Sequence, residues 1–77
     1  TDESKESIVN NMKKEYIKLG FKINDIDGIK VSYENGWVLL RASNTTPNLT
    51  IRIEADTKEN QTIINNHFMS LLKKHLD

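Results

Sequence analysis

The sequence contains no cysteine, which excludes disulfide staples and thiolate metal sites. Its longest unbroken apolar run is Trp37-Val38-Leu39-Leu40, far too short for a membrane span or the core of a secretory signal. Only three glycines occur, Gly20, Gly28 and Gly36, all placed like turn or cap residues, so there is no glycine-rich Walker-type loop. Eleven basic and eleven acidic residues cancel, which argues against the broad basic field of a nucleic-acid binder. The most informative absence is local. Between Asn35 and Ile53 there is no Asp, Glu or Lys in a chain that is 29% charged. The charges in that stretch are two arginines, Arg41 and Arg52.

What is present fits one small domain over residues 1–77, near the lower limit for an adequate core without staples. A start at Thr1 rather than methionine is expected of a fragment cut from a longer protein. Asp2 or Ser4 can cap a first helix, with Glu3 and Glu6 near its positive end. Ile8, Met12, Tyr16 and Leu19, with Val9 beside them, form one apolar stripe, and Gly20 ends the helix. Lys13, Lys14 and Lys18 read as a solvated outer face. Phe21 to Ile26 reads as a short edge strand closed by the turn signal Asp27-Gly28.

A hairpin follows. Ile29 to Glu34 alternates, and Asn35-Gly36 is a strong two-residue turn signal that pairs Glu34 with Trp37 and Val31 with Leu40. That register puts Ile29, Val31, Tyr33, Val38 and Leu40 on the core side, with Lys30, Ser32, Trp37, Leu39 and Arg41 opposite. The next strand repeats the alternation: Leu49, Ile51, Ile53 and Ala55 are apolar, while Thr50, Arg52 and Glu54 are polar. A second helix is capped by Asp56 with Glu59 as capping-box partner. Ile64, Phe68, Leu71, Leu72 and Leu76 form its buried stripe, and Lys73 and Lys74 suit its C-terminal end. The pattern predicts an α+β fold: a mainly antiparallel four-stranded sheet with two helices packed on one face.

In this fold Arg41 and Arg52 share the helix-free face and flank Ala42 to Ile51. Ser43, Thr45 and Thr46 offer hydroxyls there, Asn44 an amide, and the backbone its N–H groups. Two guanidinium forks at the edges suit the oxygens of a phosphate. The same composition also describes an ordinary connecting loop. Trp37 and Leu39 on the open face mark either normal surface apolarity or the footprint of a neighbour. His67 and His75 have no acidic or thiol partners at metal-ligand spacing and read as solvated or half-buried side chains. Ser43 lacks a histidine and carboxylate that would make it a nucleophile.

Arg41-Ala42-Ser43-Asn44-Thr45-Thr46-Pro47, with Leu49 and Arg52 downstream, resembles the C-terminal domain of the α-D-phosphohexomutases, most closely the bacterial phosphomannomutase/phosphoglucomutase branch. Asp27-Gly28-Ile29-Lys30, Gly36 to Leu40 and Glu54-Ala55-Asp56 match in kind and order. The likeness is specific over most of residues 27–56; the flanking helices match in pattern only. It implies the fourth domain of a cytoplasmic enzyme that interconverts hexose 1-phosphate and 6-phosphate through a bisphosphorylated intermediate. A phosphoserine in the first domain and Mg²⁺ in the second do the chemistry, and this domain carries no cofactor and is inactive alone. By position the resemblance assigns phosphate binding to Arg41, Ser43, Asn44, Thr45 and Arg52, with Thr46 and Pro47 as supporting loop. The implied partners are the phosphosugar and the remaining domains, with no nucleic acid and no membrane. Thr46, where many members carry Glu, and Asn44, where amino-sugar mutases usually carry Gly, point toward mannose or glucose phosphate.

An alternative of another class is a small protein-interaction module using the Trp37/Leu39 face, with the loop merely structural. A third, a single-stranded nucleic-acid binder on an open sheet, is disfavoured by the neutral charge.

Overall fold

The computed structural model describes residues 2–42 and 48–76, with side chains from residue 5 onward. Helix α1 (Asp2–Lys18) leads into β1 (Lys22–Asn24), β2 (Ile29–Tyr33), β3 (Gly36–Ala42) and β4 (Leu49–Ala55). Helix α2 (Lys58–Leu72) follows and tightens into a 3-10 turn over Lys73–His75. The strands form one antiparallel sheet in the order β1-β2-β3-β4. The expected α+β architecture is the one observed.

The end of α1 shows how local chemistry sets the geometry. Gly20 N–H donates to the Ile17 carbonyl and Phe21 N–H to the Tyr16 carbonyl, both at 3.0 Å, which satisfies carbonyls the helix leaves open. The edge-to-face contact of Phe21 with Tyr16, 5.2 Å between ring centroids, is the apolar clasp of that motif. Leu19 therefore falls beyond the helical stripe and is 52% exposed, where the periodicity predicts burial. At α2 the cap is Thr57 rather than Asp56: its hydroxyl accepts the Asn60 N–H at 3.1 Å. Asp56, one residue earlier, accepts the Asn60 side-chain amide at 2.7 Å. Leu76, expected in the α2 stripe, lies past the 3-10 turn and is 45% exposed.

The β2–β3 hairpin differs from its predicted register. Tyr33 pairs with Gly36 and Val31 with Val38, so the turn is Glu34-Asn35. Neither turn residue has positive φ, so the turn is not the primed type that Asn-Gly favours. Packing decides the competition. Gly36 pairs with Ala55 in the sheet, and a Cβ on it would lie 2.2 Å from the Glu54 carbonyl oxygen and 2.9 Å from Ile64 Cδ1. The glycine is needed where β3, β4 and α2 meet. Because each partner shifts by two positions, every side chain keeps its predicted face.

The core lies between that face and the helices. Ile29 and Val31 of β2 and Val38 and Leu40 of β3 are buried beneath Met12 and Tyr16 of α1 and Ile64, Phe68, Leu71 and Leu72 of α2. On the edge strand β4, Ile53 packs against this cluster, but Ile51 is 41% exposed although it shares the core face.

Candidate functional site

In the β3–β4 ladder Arg41 pairs with Thr50, and Arg52 pairs with Leu39. Paired residues share a face, so both arginine side chains leave the sheet on the side away from the helices, as diagonal neighbours in the ladder; Arg41, near the end of β3, also reaches the edge of a cleft beside α1. Lys30, Ser32, Trp37 and Leu39 are on that face too. The intervening residues Ser43, Asn44, Thr45, Thr46 and Pro47 lie outside the described residues.

The electrostatics differ from a count along the chain. The stretch between Asn35 and Ile53 lacks carboxylates in sequence, yet the fold supplies one. Asp27 Oδ2 accepts from Arg41 Nη1 at 3.0 Å. Glu54, just past the stretch, brings a carboxylate oxygen to 4.0 Å from Arg52 Nη2. An approaching anion thus meets two arginines each accompanied by an acid. These pairs are solvent-exposed and individually weak. Arg41 is buttressed from beneath, because Gly28 (φ 72°) passes so close to β3 that a Cβ there would be 2.4 Å from the Leu40 carbonyl oxygen. The Asp27-Gly28 corner borders a cleft of about 380 Å³ whose walls include Asn10, Lys13, Asp25 and Arg41. Among the lining residues the Lys13 ammonium, from α1, hydrogen-bonds Asp25 and holds that carboxyl below the usual carboxylate range.

A family model described as phosphoglucomutase/phosphomannomutase, C-terminal domain, matches residues 2–66. The chain belongs to that family. The phosphomannomutase/phosphoglucomutase of Pseudomonas syringae pv. tomato is 43% identical over 74 residues, which is 96% of this chain and 16% of that protein. The phosphoglucomutase of Neisseria meningitidis serogroup B is 44% identical over 54 residues, 70% of this chain and 12% of that protein. The probable phosphoglucosamine mutase of Methanococcoides burtonii is 59% identical over 34 residues, 44% of this chain and 8% of that protein. The chain thus spans about a sixth of the length of the Pseudomonas relatives it matches.

Beyond the arginine pair, this phosphohexomutase domain holds a polar chain that the sequence reading leaves out. The Tyr16 and Tyr33 hydroxyls are 2.6 Å apart, and the Tyr33 hydroxyl is 2.7 Å from His67 Nδ1. Phe21 stacks on the His67 ring at 5.8 Å. Burial pushes both phenols above their ordinary range, Tyr16 furthest because its hydroxyl bond to Tyr33 adds to its desolvation. The signal was available: His67 sits three residues after Ile64 and four before Leu71, on the buried side of α2. His67 and His75 are both half-buried. His75 lies in the 3-10 turn rather than in α2, its Nε2 3.4 Å from a Glu15 carboxylate oxygen. No group of three or more acidic, histidine or cysteine side chains is gathered to hold a metal among the described residues. No helix among them is long and apolar enough to cross a membrane.

Proposed function

We propose that this domain grips the non-reacting phosphate of a hexose phosphate within a cytoplasmic phosphohexomutase that interconverts the 1- and 6-phosphates through a bisphosphorylated sugar. The observation that carries the reading is the pairing of Arg41 with Thr50 and Arg52 with Leu39. It starts both arginine side chains from one face of the sheet, at the ends of a stretch whose sequence is rich in hydroxyl and amide donors. Arg41, Ser43, Asn44, Thr45 and Arg52 are the binding residues in this proposal, with Thr46 and Pro47 shaping the loop. A dianion held by hydroxyls and guanidinium groups is recognised whichever end of the sugar carries it, as a mechanism that turns its intermediate around requires.

In the parent enzyme the grip spends remote binding energy on aligning the reacting end and draws this domain over the site. The phosphoryl-transfer groups, and the Mg²⁺ that would assist them, belong to other domains in this proposal, and the 77-residue chain alone is inactive. Mannose and glucose phosphates are the proposed substrates. The protein-interaction alternative draws less support, since Trp37 is half-buried and the Lys30 ammonium lies 4.4 Å over its ring.

Charge-assisted hydrogen bonds contribute about 1.5–3 kcal/mol each and association costs several, so the isolated chain should bind phosphosugar at about millimolar affinity or weaker. Titration with glucose 1-phosphate, followed by amide chemical shifts, should perturb residues 43–46 and Arg52. Saturating ligand with no shifts, or with shifts clustered elsewhere, would overturn the assignment.

A further inference from the structure

Asp27 contributes a carboxylate to the arginine site from a separate part of the chain, and the corner that carries it is built to stay in place. The Asn24 side-chain oxygen accepts the Ile26 N–H at 3.1 Å, Lys13 ties down Asp25, and Gly28 lies against the Leu40 carbonyl and Arg41 Cα. These contacts hold the backbone on either side of Asp27, whose own side chain is 73% accessible and is bonded to Arg41. The contact engages one terminal nitrogen, Nη1, at 3.0 Å. A guanidinium carries five N–H donors, so the fork retains donors for a second anion while its orientation is held.

Resting on the phosphate-binding reading above, we propose that Asp27 is a positioning residue for substrate phosphate: it holds the Arg41 guanidinium in the orientation that phosphate binding uses. An arginine on an exposed strand end samples many rotamers, and ordering it on binding costs free energy that a pre-oriented side chain has already expended. The opposing effect is repulsion between the Asp27 carboxylate and the incoming phosphate. At an exposed site with Arg41 between the two anions that repulsion is screened, so orientation dominates.

The test is a double-mutant cycle on the 77-residue chain, titrated with inorganic phosphate and with glucose 1-phosphate and read by amide shifts. Asp27→Ala should weaken binding about three- to tenfold, the value of one ordinary hydrogen bond. Asp27→Asn, whose amide oxygen can still accept from Nη1, should recover part of the loss. In an Arg41→Ala background Asp27→Ala should have no further effect, because the residue acts through Arg41. Thermal unfolding of each variant separates a loss of affinity from a loss of fold. Unchanged or tighter binding by Asp27→Ala, or a loss that persists without Arg41, would overturn the inference while leaving the phosphate site intact. If the unaltered chain and Arg41→Ala bind alike, the phosphate reading itself fails and takes this inference with it.

Discussion

Arg52 stands diagonally across the β3–β4 ladder from Arg41, one opposite Leu39 and the other opposite Thr50. Both are substantially exposed, with 46% and 68% of the Arg41 and Arg52 side chains accessible. This arrangement can serve one anion with two forks, and it leaves the interaction open to competing ions in solution.

Arg41→Ala and Arg52→Ala should each weaken phosphate affinity about ten- to a hundredfold, since each removes charge-assisted hydrogen bonds of about 1.5–3 kcal/mol. Arg41→Lys should recover little, because an ammonium lacks the planar fork. Added sodium chloride should weaken binding to the unaltered chain as screening grows. Amide-shift titrations measure all three. Full binding retained by either alanine variant would contradict a shared site.

Gly36→Ala should destabilise the fold by about 2 kcal/mol or more, the range for an overpacked interior position. Its new methyl would meet the Glu54 carbonyl oxygen at 2.2 Å and the Ala55 Cα at 2.8 Å, backbone that cannot swing aside. Asn35→Ala should shift stability by less than about 0.5 kcal/mol, because Asn35 has negative φ and the bond it makes to the Asp56 N–H uses its main-chain carbonyl. Urea denaturation compares the two. A large loss from Asn35→Ala and none from Gly36→Ala would restore the Asn-Gly turn that the sequence pattern predicts.

That turn shows where the sequence stops being informative. The alternation of Ile29, Val31, Val38 and Leu40 settles which face is buried, because face depends on parity alone. Register depends on a choice between a local turn preference and a contact with Glu54 and Ile64 that no local window contains. The arginine site divides in the same way. The shared face of Arg41 and Arg52 follows from parity, whereas the Asp27 contact arises because a glycine corner is folded onto β3. Leu19 and Leu76 leave the stripes their spacing predicts for a different reason: each sits just past a helix end, where 3.6-residue spacing no longer applies.

Thr57→Ala should cost about 1 kcal/mol, as is usual for loss of a hydroxyl cap, because the Thr57 hydroxyl satisfies the Asn60 N–H at the start of α2. Asp56→Ala should cost less, since its side chain bonds an exposed amide rather than the helix backbone. Thermal unfolding distinguishes them, and the reverse order would return the cap to Asp56.

Stability should fall as pH rises above about 10, where a phenol in the unfolded chain begins to ionise. Tyr16 is fully buried, and burial, reinforced by its bond to Tyr33, holds its phenol well above that range. Above about pH 10 the unfolded chain releases a proton that the folded chain retains, so each further increment of pH favours unfolding. Below that pH both states keep the proton and the contribution is fully present. Tyr16 and Tyr33 are the chain's two tyrosines, and both are raised, so phenolate absorbance reports on this hydrogen-bonded pair. It should appear in the same cooperative step that removes helical circular dichroism. Tyr16→Phe should move that step to higher pH relative to its own neutral stability, because one of the two protons linked to unfolding is gone. Phenolate appearing near pH 10 with the helices intact would show that the core hydroxyls are open to solvent, contrary to the Tyr16–Tyr33–His67 chain.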